Sequence, residues 1–472
     1  MSQSNEEMRI ERDSIGEIEI PVDAYYGAHS LRAAQNFPIT GMSMHPEVIN
    51  TICQIKKAAA LTNLDVGRLD KERVDAIVQA CDEIIAGEFH DQFIVDPIQG
   101  GAGTSLNMNA NEVVANRAIE ILGGSKGDYD LINPNDHVNY AQSTNDVFPS
   151  SGRITTYKLL LGAEEELKKL KAALLVKAEE FDDVIKMGRT QMQDAVPIRL
   201  GQEFAAWSYA IGRDLRRFEN ARRDMRFLNL GGTAIGTGIN ADVEYLERVI
   251  ERLAEITDLP LTQADNLIDG TQNTDGYVAA SSAVKTCAVT LGKISNDLRL
   301  MSSGPRTGFG EINLPEKQAG SSIMPGKVNP VIPEVVNQVC FNIIGNDVTV
   351  TMAAEGGQLE LNAFEPIIFY NLFQSIETLR YAVRTLVDNC IVGITANREH
   401  CHDQVFNSVG ILTAVTPHLG YRAASKVANE AIKTGKSIKE IILRDGLMTE
   451  EALDKALDPY VMTEPGVCEI DC

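Results

Sequence analysis

The sequence predicts a mainly α-helical protein: a bundle of long central helices with smaller N- and C-terminal domains. Three observations predict this class. Apolar residues recur at steps of three and four over several long runs, which is the pattern of amphipathic helices. Strand patterns are few and short. The 472 residues are enough to bury a large core and suggest more than one domain.

The N-terminal region, up to residue 145, is predicted to be a mixed and mostly helical domain. Its strand signals lie near the start of the chain and in VDPIQGG at 95–101. A central domain of long helices is expected over 146–397. A small helical domain is expected to follow over 398–472.

The longest helical pattern lies in SSGRITTYKLLLGAEEELKKLKAALLVKAEEFDDVIKM and runs for more than 30 residues. Its apolar stripe consists of Leu160, Ala163, Leu167, Leu170, Leu174, Ala178 and Phe181. Glu164 and Glu165 are predicted to pair with Lys168 and Lys169 on the exposed face. A helix of this length is typical of a bundle and suggests one that is shared between subunits.

Further helical patterns are expected over about 199–228, 275–303 and 365–395, and from near Val331 past Asn346. Polar segments separate these helices. They lie at 188–197, 231–240 and 320–330.

Composition excludes several classes of partner. The net charge of −23 would repel nucleic acid and anionic membrane surfaces. No apolar run is long enough to cross a membrane. The N-terminus is polar and lacks an apolar leader, and the eight cysteines form no C-x-x-C pair. We therefore expect reduced thiols and a cytoplasmic protein, with no metal site.

The segment GSSIMPGKVNP at 320–330 resembles the end of a phosphate-binding loop, but its spacing excludes one. Five residues separate Gly320 from Gly326, where that motif has four, and Val328 stands where it has Ser or Thr. An acylating Ser-x-x-Lys pair is also excluded, since Met324 lies three residues after Ser321.

Four polar segments, GGAGTSLNMN, AQSTNDVFPS, GRTQMQD and GSSIMPGKVNP, share a chemistry of uncharged hydrogen-bond donors with one cation. Helix capping is the ordinary explanation for any one of them. Four such segments beside long helices instead favour a pocket that binds carboxylates, whose oxygens only accept hydrogen bonds. The candidate residues are Thr104, Asn107, Ser143, Thr144, Asn145, Thr190, Gln191, Ser321, Ser322, Lys327 and Asn329.

These segments carry a resemblance. GSSIMPGKVNP resembles the signature of the aspartase/fumarase superfamily, and QGGAGTS, NPNDHVNYAQSTND and GRTQMQDAVP resemble its other characteristic segments. The resemblance extends over nearly the whole chain, from PVDAYYGAHSLRA to ITANREH and beyond. The flanks INLPEKQAG and VIPEVVNQV are similar to the aspartase branch. Fumarases usually have Thr-Gln where this chain has Val331 and Ile332.

The resemblance implies the fold and a reaction: reversible deamination of L-aspartate to fumarate and ammonia, without a cofactor. It implies Ser321 as the base that removes the C3 proton. The charge would then spread into the β-carboxylate as an aci-carboxylate, which fixed donors stabilise. The donors implied there are Thr104, Ser143, Thr144 and Ser322. The α-carboxylate would be held by Lys327, Asn329 and Thr190, and the amino group by Asn145 and Gln191.

One residue departs from the pattern of many members. Gln191 stands where fumarases and some aspartases have a histidine paired with an acid that matches Glu334. Glutamine carries no titrating proton, so this relay is absent. Ammonia needs less acid assistance to leave than hydroxide does, and the departure therefore favours ammonia as the leaving group.

Two other classes stay open at this point: a fumarate hydratase or a more distant lyase of the same fold, and a non-enzymatic scaffold of that fold. The complete set of polar segments favours an enzyme. The resemblance further implies a homotetramer with shared active sites. Three different subunits would then supply Ser143 to Asn145, Thr190, and Ser321 to Asn329.

Overall fold

A computed structural model of the chain describes residues 7–469. The fold is carried by helices, whose bounds are α1 Ala28–Asn36, α2 Pro46–Asp65, α3 Lys71–Ile85, α4 Thr104–Ile121, α5 Thr144–Glu180, α6 Leu200–Asp224, α7 Val243–Thr257, α8 Leu267–Gln272, α9 Asp275–Met301, α10 Val331–Glu355, α11 Glu365–Asn389, α12 Arg398–Asn407, α13 Leu412–Leu419, α14 Tyr421–Thr434, α15 Ile438–Arg444, α16 Glu450–Ala456 and α17 Pro459–Thr463. The mainly α-helical class is thus confirmed.

The strands are short and form four two-stranded sheets among the described residues. They are β1 Met8–Arg12 with β2 Glu17–Pro21, β3 Ile185–Thr190 with β4 Gln193–Arg199, β5 Phe227–Leu228 with β6 Thr262–Gln263, and β7 Ile312–Asn313 with β8 Thr395–Ala396. The β5–β6 pair is parallel and the other three are antiparallel.

The chain forms two compact units, each assembled from three separate segments. The first unit comprises Met1–Glu164, Arg216–Thr286 and Asn342–Leu379, and the second comprises Glu165–Leu215, Cys287–Phe341 and Arg380–Cys472. These boundaries differ from the three consecutive domains expected from the sequence, because the longest helix starts in one unit and ends in the other. The division at 145 and 397 stays a prediction.

In the first unit, α2 packs against α3 and α7, and α4 packs against α1 and α3. The buried Glu112 of α4 secures the start of α1. Its carboxylate accepts hydrogen bonds from the backbone N–H groups of Gly27, His29 and Ser30 at 2.8, 2.9 and 3.1 Å. A buried carboxylate is tolerated where donors surround it in this way.

In the second unit, the C-terminal helices share a core with the β3–β4 hairpin. Ile185 and Met187 of β3 pack among buried residues of these helices, including Val405, Ile411 and Leu453. The small C-terminal region therefore supports the hairpin that carries Thr190. No helix of the described residues is both long and apolar enough to cross a membrane.

The long predicted helix is confirmed as α5, which has 37 residues. Its apolar stripe is buried from Leu160 to Phe181, apart from the half-buried Ala178. The predicted pairing of Glu164 was wrong. Glu164 is buried and accepts hydrogen bonds from Arg222 of α6 at 2.9 and 3.2 Å, so another helix covers part of the face that was expected to be exposed.

Two strand predictions were also wrong. VDPIQGG forms no strand, because Asp96 organises a turn by accepting from the backbone N–H groups of Thr40 and Ile98 at 2.6 and 2.9 Å. The polar segment at 188–197 is not a simple break but most of the β3–β4 hairpin. Gly188 allows its bulge, since a Cβ there would stand 2.6 Å from the carbonyl oxygen of Val196.

Candidate active site

The first group of candidate residues lies in the first unit, where two helices begin side by side. Thr104 is the first residue of α4, and Thr144 is the first residue of α5. Gly103 has φ 88° and lies so close to Phe148 that a Cβ would stand 2.3 Å from its ring. Only glycine permits this backbone conformation and this approach together, so Gly103 allows the two helix starts to meet.

Hydrogen bonds hold this group together. The side-chain N–H of Asn107 donates to Thr144 Oγ1 at 3.2 Å. Ser143 Oγ accepts from the backbone N–H of Asn145 at 3.2 Å, and the Asn145 side chain donates to the carbonyl of Ala234 at 2.8 Å. Thr104 Oγ1 donates to Gly101 at 2.6 Å. The structure therefore gathers the donors predicted from the first two polar segments into one place.

Two charged residues that the sequence analysis missed lie under this group. Asp146 is fully buried; its carboxylate accepts from the backbone N–H groups of Ser143, Gly231 and Thr233 at 2.9 to 3.0 Å. Burial raises the pKa of Asp146 to about 6, against the opposing effect of those N–H groups. Lys56 of α2 is also fully buried. Lys56 lies in the apolar stripe of α2, and this position is the feature of the sequence that could have indicated its burial.

Thr190 and Gln191 lie at the exposed tip of the β3–β4 hairpin in the second unit. Thr190 pairs with Gln193, and the two residues between them, Gln191 and Met192, have φ 54° and 66°. A two-residue turn with both φ values positive matches the twist of a hairpin, but it usually contains asparagine or glycine. Gln191 therefore has an uncommon backbone conformation in this hairpin. Residues at functional sites often have such conformations.

Buried ion pairs fix the base of this hairpin. Glu311, fully buried and missed in the sequence, binds Lys186 at 3.0 Å through one oxygen and Arg189 through the other. Lys186 also binds Glu203 at 2.9 Å. Since both cations lie on β3, these bonds set the position of the adjoining Thr190.

The remaining candidates occupy the loop at 319–329 in the second unit. The backbone closes the loop on itself: the N–H of Gly320 donates to Lys327 O, and the Asn329 side chain donates to Gly320 O, both at 2.9 Å. Ser321 Oγ accepts from the backbone N–H groups of Ile323 and Met324, at 3.2 and 2.9 Å. Two such donors favour negative charge on this oxygen. Ser322 and Lys327 are exposed.

The candidate residues thus form three groups: the helix starts, the hairpin tip and the loop. Over residues 7–469, no hydrogen bond or ion pair joins the hairpin tip to the loop. Within the same range, no cluster of three or more His, Cys, Asp or Glu residues could hold a metal ion. The three groups offer neutral donors, one exposed cation and one hydroxyl with two N–H donors, and this set suits carboxylates.

Known proteins resemble this chain over almost its entire length. The family described as Lyase matches residues 16–345, and the family described as Fumarase C C-terminus matches residues 411–464. Aspartate ammonia-lyase from Bacillus subtilis is 54% identical over 99% of this chain and 98% of its own. Aspartate ammonia-lyase from Escherichia coli is 49% identical over 97% of this chain and 96% of its own.

Solved structures of related proteins are also similar to this chain over nearly its whole length. A fumarate lyase:delta crystallin from Brucella melitensis is 48% identical, with a TM-score of 0.95, over 97% of this chain and 100% of that one. A class II fumarase from Schistosoma mansoni is 35% identical, with a TM-score of 0.92, over 97% of this chain and 99% of that one. The resemblance drawn from the polar segments is confirmed: the chain belongs to the aspartase/fumarase superfamily of lyases, in the aspartate ammonia-lyase family.

Proposed function

We propose that this chain deaminates L-aspartate reversibly to fumarate and ammonia, with Ser321 as the base. The observation that carries the proposal is the pair of backbone N–H groups, of Ile323 and Met324, that donate to Ser321 Oγ. A serine hydroxyl is normally too weak an acid to be ionised. Two amide donors on its oxygen, with the Lys327 charge in the same loop, lower the cost of the oxyanion.

In the proposed reaction, Ser321 Oγ takes the proton from C3 of L-aspartate. The electron pair of that C–H bond moves into the adjacent β-carboxylate and forms an aci-carboxylate. The pair then returns to form the C2–C3 double bond as the C2–N bond of the protonated amino group, –NH3⁺, breaks and ammonia leaves. The hydroxyls of Thr104, Ser143, Thr144 and Ser322 would donate to the β-carboxylate, where negative charge grows during the first step.

The other groups would bind the parts of the substrate that do not accept this charge. Lys327, Asn329 and Thr190 would hold the α-carboxylate. Asn145 and Gln191 would contact the amino group, and the unusual backbone conformation of Gln191 supports a functional role for the hairpin tip. No step in this scheme calls for an organic cofactor or a metal ion.

We further propose that the protein is a homotetramer with shared active sites. A helix of 37 residues would be about 55 Å long. The long helices also carry exposed apolar side chains, such as Tyr209 of α6, Val289 of α9, and Phe341 and Met352 of α10. Such surfaces are covered in stable assemblies. Reduced thiols support a cytoplasmic location, and the buried free thiols are those of Cys53, Cys81, Cys340, Cys390 and Cys401.

The reaction is tested by following the absorbance of fumarate formed from L-aspartate, L-malate and argininosuccinate in parallel. We expect turnover of L-aspartate to exceed that of the other two by orders of magnitude. Faster turnover of L-malate would replace the proposal with a fumarate hydratase. No turnover of any of the three would favour the scaffold.

Shared sites are tested by mixing two inactive chains, Ser321→Ala and Ser143→Ala, then dissociating and reassociating them. If different subunits supply these residues, some sites regain a complete set and activity returns. The matched control mixes Ser321→Ala with Lys327→Ala. Both changes lie in one loop, so every site keeps a defect and no recovery is expected. Verified hybrid tetramers without recovery in the first mixture would place the site within one chain.

A further inference from the structure

Lys56 lies where a charged residue is costly. Its neighbours on α2 at steps of three and four, Ile52, Cys53, Ala59 and Ala60, are buried, and Lys56 itself is fully buried. A buried ammonium without partners would strongly destabilise the fold or lose its proton. The contacts of Lys56 must therefore compensate for the water that it loses.

Three amide oxygens surround the Lys56 ammonium. Lys56 Nζ donates to the side chains of Asn107, Asn139 and Gln142 at 2.7, 2.8 and 2.9 Å. An ammonium has three donors and no acceptor, so the site matches it in number. Burial lowers the pKa of Lys56 to about 7, while the buried Asp146 acts in the opposite direction. The other titratable groups near it are the buried thiols of Cys53 and Cys81.

This contact determines which way the Asn107 amide faces. An ammonium cannot accept a hydrogen bond, so Asn107 must present Oδ1 to Lys56. Its Nδ2 therefore faces away and donates to Thr144 Oγ1 and to Asn139 Oδ1, both at 3.2 Å. The remaining amides are consistent with this orientation, since Asn139 Nδ2 and Gln142 Nε2 donate to backbone carbonyls.

The orientation of Asn107 has a consequence for the Thr144 hydroxyl. A hydroxyl has one proton to donate and lone pairs to accept. Because Thr144 Oγ1 already accepts from Asn107, its proton is left to donate outside the buried cluster. A reversed Asn107 amide would instead present its oxygen to Thr144 and attract that proton inward.

We infer that Lys56 is a positioning residue: through Asn107 it directs the Thr144 hydroxyl proton toward the substrate carboxylate. The inference rests on the proposed function, in which Thr144 donates to the β-carboxylate. Lys56 touches neither the substrate nor the reacting atoms. Its positive charge, buried behind the helix starts, also favours the negative charge that develops on that carboxylate.

A merely structural lysine would hold the loop between α4 and α5 without setting the direction of one hydroxyl. The two roles differ in coupling. If Lys56 acts through Thr144, removing Lys56 lowers kcat/KM only slightly in a chain whose Thr144 has already lost its hydroxyl. If Lys56 acts only on the fold, the two substitutions lower kcat/KM independently, and their free-energy effects add.

The test is a double-mutant cycle with Lys56→Met and Thr144→Val, measured as kcat/KM for L-aspartate. We expect each single change to lower kcat/KM by roughly 10²-fold to 10³-fold, as for loss of a preorganised donor. The double variant should be no more than a few-fold worse than either one. Lys57→Met is the matched control, since Lys57 is the next residue of α2 and its Nζ binds Asp82. It should keep wild-type kinetics.

Asn107→Asp provides a second route if Lys56→Met does not fold. It keeps an oxygen for Lys56 and removes the N–H that donates to Thr144. The same fall in kcat/KM, and the same coupling to Thr144→Val, are expected. Circular dichroism and size-exclusion chromatography verify that each variant is folded and assembled.

Multiplicative losses in both cycles, or wild-type kcat/KM in Lys56→Met and Asn107→Asp, would overturn the inference. Failure of the proposed function is a separate result, seen in the wild-type protein. If wild type prefers L-malate or argininosuccinate, the cycles are run on that substrate, because the Thr144 hydroxyl would donate to a carboxylate and not to the leaving group.

Discussion

The helix starts of the first unit and the loop at 319–329 of the second unit supply donors of the same chemical kind, but they hold them differently. Asn107 is buried, and the side chains around Lys56 form hydrogen bonds in several directions. In the loop, Ser322 and Lys327 are exposed, Ile323 is 83% exposed, and closure depends mainly on backbone hydrogen bonds within the loop.

The difference indicates a division of labour. A buried network of hydrogen bonds keeps its geometry before substrate arrives, and a fixed geometry is what stabilisation of a developing charge needs. An exposed loop with few contacts belongs to the less stable part of a structure. Low local stability allows such a loop to move and close over a substrate. We therefore expect the helix starts to provide preorganised donors. The loop is expected to supply the base, Ser321, and to close over the substrate.

The largest effect is expected from Ser321→Ala. A base that acts only in the transition state should lower kcat and kcat/KM together, here by roughly 10²- to 10⁴-fold. Affinity for fumarate, measured by calorimetry, should change little. Ser302→Ala is the control and should remain active, because the Ser302 hydroxyl donates to the carbonyl of Arg299 at the end of α9. A near-normal kcat would remove Ser321 as the base.

Hydrogen exchange followed by mass spectrometry compares the two regions directly. Amides over 321–328 should exchange at least about 10²-fold faster than amides of the first turns of α4 and α5, because few contacts oppose local opening of the loop. Added fumarate should slow the loop and leave the helix starts unchanged. Equal protection in both regions without ligand would contradict the comparison.

Lys327→Ala should raise the KM for L-aspartate by about 10- to 10²-fold, since a hydrogen bond to a charged group contributes about 1.5–3 kcal/mol. Its effect on kcat should be smaller than that of Ser321→Ala. Lys317→Ala, in the same exposed stretch, is the matched control and should keep the wild-type KM. An unchanged KM in Lys327→Ala would exclude its role as the carboxylate cation.

The last effect concerns the stability of the first unit, in which Glu365 lies outside the helix starts. Burial raises the pKa of Glu365 to about 8, and its Oε2 has no hydrogen-bond partner. The unfolded chain releases this proton near pH 4.5, so the stability that Glu365 contributes falls as pH rises from about 4.5 to about 8. Glu365→Gln should therefore gain stability relative to wild type over this range, on the order of a few kcal/mol at pH 9.

This prediction is measured as the difference in melting temperature between Glu365→Gln and wild type, at one protein concentration from pH 6 to pH 9. The difference should increase with pH. Glu360→Gln, at an exposed position of the same unit, is the control and should show no trend. A constant difference for Glu365→Gln would mean that Glu365 is ionised throughout.

Much of this protein follows from its sequence. The long helices were predicted because their apolar spacing is local and each buries one stripe, as α5 does from Leu160 onward. The polar segments and their resemblance to a lyase superfamily could be recognised because the residue types and spacings lie within single short stretches. The reaction class follows from the same stretches, with L-aspartate favoured by the flanks of the Ser321 loop.

Tertiary structure alone decided which polar residues are buried and which way they face. Glu164 lies under Arg222, Lys56 lies among three amides, and Glu311 joins two cations of a hairpin that the sequence did not predict. In each case the partner is distant along the chain, and helical periodicity carries no information about it. The direction of the Thr144 hydroxyl is of the same kind, because it depends on contacts that exist only once α2, α4 and α5 have packed together.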